Sequence, residues 1–109
     1  MELAFDSRSL RTICESEARA KRDLGPEVAD ILRRRLADLR AATSIEDLVA
    51  GQPRELDGSD GQHMVVDLRG GYRIIFCANH PKNPTTENGD LDWAKVSRVK
   101  ILRIEGDHG

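Results

Sequence analysis

The side chains of this chain best suited to chemistry are cations and imidazoles: Arg73, the series Lys95, Arg98, Lys100 and Arg103, and the histidines His63, His80 and His108. A guanidinium is a planar fork that holds two oxygens of an oxyanion as charge develops on it. Imidazole, with an unperturbed pKa near about 6.5, can take or give a proton at neutral pH. Between Trp93 and Ile104 the chain carries basic residues and no acid. That stretch is either a phosphate-binding strip or a strand whose charges protect a sheet edge from aggregation. Strand alternation puts Arg98 and Lys100 on one of its faces and Val99 and Ile101 on the other. His63 stands just before an apolar run, His80 in a polar stretch close to Lys82, and His108 beside Gly109. For His80 a plain loop role is the stronger expectation. Neither the histidines nor Cys14 and Cys77 make up a motif with metal-ligand spacing, so no metal site is expected. Gly70-Gly71 lies between two strand-like runs, not between a strand and a helix, which argues against a phosphate-cradling loop.

A small scaffold has to position these groups. The 109 residues are the length of one domain, which buries about two-thirds of the surface of its unfolded chain. An apolar share of 39% beside 33% charged residues is too apolar for a disordered chain and too charged for a membrane span. Seventeen Lys and Arg against nineteen Asp and Glu leave a net charge of -2, so binding to nucleic acid has to come from a local patch. Phe5, Tyr72, Phe76 and Trp93 are the only aromatic residues, too few for recognition dominated by base stacking. Cys14 and Cys77 are far apart, and the first residues lack both a basic start and an apolar run. Free thiols and a cytoplasmic location are expected.

Residues 3–5 read as an edge strand. Helical spacing then runs from Ser7 or Ser9 to a stop at Gly25, through Leu10, Ile13, Cys14 and Ala18. Pro26 opens a second helix with Val28, Ile31, Leu32, Leu36 and Leu39 on one face, and the two helices make an antiparallel hairpin. Arg33-Arg34-Arg35 is a solvated face of it, or a surface for a partner. Ser44, with Asp47 three residues on, is a capping-box start for one or two helical turns. Strands follow at residues 64–68 and 72–77, joined through Gly70-Gly71, whose glycines accept the positive φ angles of a tight hairpin. Residues 78–92 are a long surface loop, and a last strand covers about residues 95–104. The whole is an α+β order in which a helical hairpin packs on one face of a small twisted antiparallel sheet.

One series of motifs narrows this class. Ala42-Thr43-Ser44-Ile45-Glu46-Asp47-Leu48 is followed by Arg54-Glu55-Leu56-Asp57-Gly58, by Gly61-Gln62-His63-Met64-Val65-Val66, and by Gly71-Tyr72-Arg73-Ile74-Ile75-Phe76. In order and spacing, over roughly residues 42–77, it resembles the HigB-like branch of the RelE/ParE toxin superfamily. The resemblance implies a RelE-like fold and the toxin of a type II toxin–antitoxin module. Such a toxin cuts messenger RNA at the ribosome without metal or cofactor and is neutralised by a HigA-like helix-turn-helix antitoxin. It touches operator DNA only through that antitoxin, and no membrane.

Metal-free RNA cleavage makes a 2′-hydroxyl attack the neighbouring phosphate, which takes a base, positive donors for the phosphate oxygens, and an acid for the leaving oxygen. The resemblance assigns the first role in charge stabilisation to Arg73, which matches the strand arginine of the superfamily; the alternative for this residue is an exposed sheet arginine paired with a carboxylate. It makes His63, at the rim position of the pattern, and His108 the further catalytic candidates. Arg54, Lys95, Arg98 and Lys100 are the expected RNA-binding residues. HigB-like chains tend to close on Asp-Tyr-His, whereas this one reads Ile104-Glu105-Gly106-Asp107-His108-Gly109. That ending and the slightly acidic balance motivate an alternative: a non-enzymatic protein of RelE/ParE shape, either a gyrase inhibitor or a degenerate toxin retained for partner binding.

Overall fold

The structure is a computed structural model and describes residues 1–106. His108 lies outside the described residues. In chain order the elements are β1 (Glu2–Phe5), α1 (Arg8–Glu15), α2 (Glu17–Leu24), α3 (Pro26–Ala41), a 3₁₀ turn (Ile45–Asp47), β2 (Arg54–Glu55), β3 (His63–Asp67), β4 (Tyr72–Ala78), a second 3₁₀ turn (Trp93–Lys95) and β5 (Arg98–Gly106). The fold is α+β: three helices and one five-stranded sheet in the order β1-β5-β4-β3-β2.

Three expectations need correction. The sheet is mixed, not antiparallel, because β1 pairs with β5 in parallel, with Leu3 opposite Val99 and Phe5 opposite Ile101. A parallel pair needs a long crossover, and the chain between them, helices included, provides it. The single helix expected after β1 is two, broken at Ser16 in extended backbone (φ -116°, ψ 112°). Ser16 closes α1 through its N–H to the Thr12 carbonyl and opens α2 by accepting from the Arg19 N–H at 3.2 Å; a hydroxyl that caps a new helix outcompetes the continuing one. Last, β5 begins at Arg98, and Lys95 belongs to the 3₁₀ turn. Trp93 pulls that turn inward, donating from Nε1 to the Gly61 carbonyl at 2.7 Å and meeting Phe76 edge-on at 6.1 Å.

Other elements follow the residue pattern. Pro26 opens α3, whose buried stripe is Val28, Ala29, Leu32, Leu36 and Leu39. Arg33 and Arg34 pair with Asp30 at 2.8 and 3.2 Å on its exposed side. Arg35 departs from that solvated face: its side chain is only 19% exposed. Its Nε lies beside Gly51, where the chain passes so close to β3 that a Cβ would meet Val66 Cγ1 at 2.6 Å. Gly51 has φ 84°, and its carbonyl accepts from the Asp67 N–H at 2.6 Å, fixing the end of β3. Ser44 is the N-cap of the 3₁₀ turn, as expected, its Oγ accepting from the Glu46 N–H at 3.3 Å, and Asp47 Oδ2 accepts from the Thr43 N–H and hydroxyl at 2.8 and 2.7 Å. Gly70 and Gly71 take φ 68° and 78° in the β3–β4 hairpin, as expected.

Met64, Val66, Ile74, Phe76, Val99 and Ile101 form one buried cluster with Leu32, Leu36, Leu39 and Trp93. The helices therefore cover one face of the sheet. Because successive strand side chains alternate, the residues between these lie on the opposite, open face. No helix among the described residues is long and apolar enough to cross a membrane.

Candidate functional site

Register across β3, β4 and β5 organises the open face into rows. Asp67 stands opposite Arg73 and Arg73 opposite Glu105; one row inward, Arg54 is opposite Val65, Val65 opposite Ile75 and Ile75 opposite Arg103. A third row sets His63 opposite Cys77 and Cys77 opposite Lys100. Val65 and Ile75 are 1% and 0% exposed, an apolar floor flanked in register by two arginines.

The Arg73 row is a network of charge-assisted hydrogen bonds. Arg73 donates from Nε to Glu105 Oε1 at 2.7 Å, and Arg103 donates from Nε to Glu105 Oε2 at 2.8 Å. Arg54 grips Asp67 with both terminal nitrogens, each at 3.1 Å, in the bidentate geometry a guanidinium favours. Hydrogen bonds from Arg103 and Arg73 hold the Glu105 carboxyl below the usual range, with burial opposing weakly. Beside the network opens a polar cleft of about 440 Å³ with Arg54, Asp67, Tyr72, Arg73 and Glu105 among its walls. Three guanidiniums against two carboxylates leave this corner one positive charge in excess.

The other candidate residues separate from it. Arg98 and Lys100 share the open face, as alternation requires, but lie toward β1, where Arg98 pairs with Glu2 at 3.2 Å and Lys100 with Asp6 at 3.8 Å. His63 is on the same face as Arg73 but not beside it: its register partner Cys77 is four residues along β4 from Arg73, about 13 Å at the rise of a strand. Lys95 leaves the strip altogether, since it sits in the 3₁₀ turn. His80 has a structural partner, accepting at Nε2 from the Ser97 N–H at 3.1 Å and so tying the long loop to the start of β5. Both cysteines are free thiols. Burial pushes Cys77 up, against the positive charge of Lys100. Among the described residues no group of three or more His, Cys, Asp or Glu could hold a metal ion.

Sequence reasoning passed over Glu105 and Asp67. Asp67 was within reach, because a hairpin centred on Gly70 sets it opposite Arg73. Glu105 was hidden by a β-bulge: Ile101 pairs with Phe76 while Arg103 pairs with Ile75, leaving Leu102 as an extra residue. Alternation carried on from Arg98 and Lys100 would turn Arg103 and Glu105 to the helix side; the bulge turns both to the open face.

A second hollow of about 390 Å³ lies between the three helices, with Ile13, Cys14, Ala20 and Leu32 in its walls and Lys21 and Arg33 among its charged residues. It holds none of the candidate residues. No protein-family model matches this chain, and no curated protein matches it either.

Proposed function

We propose that this protein is the toxin of a type II toxin–antitoxin pair, a RelE-like, HigB-like endoribonuclease that cuts messenger RNA at the ribosome and is silenced by a helix-turn-helix antitoxin. The observation that carries the reading is Arg73. It comes from the Tyr72-Arg73-Ile74-Ile75-Phe76 strand on which the family resemblance centres, and it stands on the uncovered face of the sheet, at a cleft shared with Arg54. These cations add little to stability as exposed ion pairs. They suit a ligand rich in phosphate oxygens, with guanidinium N–H groups to receive the charge that grows on a pentacovalent phosphate. Arg98 and Lys100 extend the positive groups along the same face toward β1, the direction in which a bound strand of RNA would continue.

A second reading has its own observation. Arg54, Arg73, Arg98, Lys100 and Arg103 each face a carboxylate within 4 Å, and His63 is remote from Arg73. Such a surface also suits a non-enzymatic binding protein, acting on gyrase or retained for its partner alone. Induced expression separates the two. The endonuclease reading expects growth arrest with new 5′ ends in primer extension on cellular messages. Intact messages with stalled, supercoiling-dependent replication identify a gyrase target, and unimpaired growth identifies a partner-binding domain.

A further inference from the structure

RNA cleavage of the kind proposed above needs a proton acceptor beside the cations, and the histidines do not supply one there: His63 is about four strand residues, or ~13 Å, from Arg73, and His108 lies outside the described residues. Within the cleft the proton-accepting groups are two carboxylates. Both oxygens of Asp67 are engaged by one bidentate guanidinium, Arg54. Glu105 is the one bonded to Arg73: one of its oxygens is held by Arg73 and the other by Arg103, with its side chain 31% exposed against 36% for Asp67. These bonds use Nε and one terminal nitrogen of Arg73 and Nε of Arg103. Each guanidinium has five N–H groups, so both keep donors for a second anion while they grip the carboxylate.

We infer that Glu105 is a catalytic residue, the general base of the RNA cleavage proposed above. The inference rests on that reading. A phosphate seated on the remaining N–H groups of Arg73 and Arg103 brings the adjoining ribose within hydrogen-bond reach of the carboxylate that the same two side chains hold. The Glu105 carboxylate takes the proton of the 2′-hydroxyl, the 2′-oxygen forms a bond to phosphorus, and the bond from phosphorus to the 5′-oxygen breaks. That oxygen takes a proton from solvent, and Glu105 returns its own to solvent. The products are a 2′,3′-cyclic phosphate and a 5′-hydroxyl; no water is consumed and no redox partner is needed. The charged and titratable groups around Glu105 are Arg103 on β5, Arg73 and Tyr72 on β4, Asp67 on β3 and Arg54 on β2. Hydrogen bonds from the two arginines lower its pKa, which leaves it ionised at neutral pH but a weaker base than a free carboxylate, so its placement beside the 2′-hydroxyl has to supply the rate.

The test is single-turnover cleavage of a message on programmed ribosomes by the full chain, comparing wild type, Glu105→Gln and Glu105→Asp between about pH 6 and 8, with ribosome co-sedimentation and thermal melting measured alongside. Glu105→Gln is expected to slow cleavage about 100-fold or more, while ribosome binding stays at the wild-type value and the melting temperature falls by no more than about 3 °C. Glu105→Asp, which keeps the charge but draws it back by one methylene, gives an intermediate rate, so the inference does not depend on the fold tolerating glutamine. The wild-type rate shows no fall centred near about pH 6.5. A Gln variant that cuts within about threefold of wild type, an Asp variant equal to wild type, or a limb near about 6.5 that assigns the base to imidazole each overturns the inference while leaving the endonuclease reading intact. Wild-type protein that leaves the message whole overturns both.

Discussion

The two faces of this sheet are made by the same strands and held by different physics. Toward the helices, β3, β4 and β5 contribute Met64, Val66, Ile74, Phe76, Val99 and Ile101, all buried and clustered with the leucines of α3. Toward solvent they contribute Asp67, Arg73, Arg103 and Glu105, joined by Arg54 from β2 and paired with one another at 2.7 to 3.1 Å where they hydrogen-bond. Burying an aliphatic or aromatic side chain stabilises by about 1.5–3 kcal/mol, whereas an exposed ion pair contributes about 0–1 kcal/mol. The fold therefore rests on the first face and, on the second, on Val65 and Ile75, which are 1% and 0% exposed and flanked in register by Arg54 and Arg103. The charged groups of the second are free to be arranged for something else, and three guanidiniums gathered at one corner suit the anion-binding role proposed above.

The largest effect should come from breaking the covered face. Phe76→Ala removes a ring that is 0% exposed and packed against Trp93, and urea unfolding should show a loss of about 3–5 kcal/mol. A loss below about 1 kcal/mol would mean that the two faces do not divide the work in this way.

The cysteines sharpen the comparison. Cys14, in the hollow between the helices, is pushed up to about 12 from 9.0 by burial, with the charge of Arg40 opposing. Its thiolate is then about 1,000-fold scarcer than that of an ordinary thiol, and iodoacetamide should modify Cys77, on the open face and less deeply buried, well before Cys14. The same shift bears on stability. The folded-state value lies above the unfolded one, so the contribution of Cys14 is complete below about pH 9 and fades as pH rises toward about 12; denaturation curves across that window should show it, and Cys14→Ala should remove it.

The smallest effect belongs to the open face. The Glu105 carboxyl is lowered when folded, so its stabilisation is present above its ordinary value of 4.5 and disappears as pH falls through the folded-state value. Solvent screening of so exposed a group keeps this to a few tenths of a kcal/mol. Melting temperatures of wild type should fall toward those of Glu105→Gln as pH drops below 4.5, with no gap left once the carboxyl is protonated in the folded state.

Much of the covered face was legible, because helical and strand periodicities in Leu32, Leu36 and Leu39 and in Ile74 and Phe76 report burial directly. So was the hairpin at Gly70-Gly71, which needs positive φ. What escaped were features that depend on one competing contact. Ser16 breaks a helix whose apolar spacing runs straight through it. Trp93 draws Lys95 into a turn through a carbonyl far away in sequence. Leu102 adds one residue to β5 and reverses which side chains face solvent. The candidate site was legible in its first residue, Arg73, by resemblance, and hidden in its partner Glu105 by that bulge. His63 reads in the sequence as standing just before a strand, and only the register shows that it belongs to β3 and how far along β4 its row lies.

The most direct test of the division between the faces, and of the function assigned to the open one, is the pairing of cleavage with melting for Arg73→Ala. Five-prime-end mapping of messages after induction should lose the cuts seen with wild type, while the melting temperature of the purified variant stays within about 3 °C of wild type, the small cost of an exposed ion pair. Undiminished cutting by the variant, or cuts and melting temperature lost together, would contradict it.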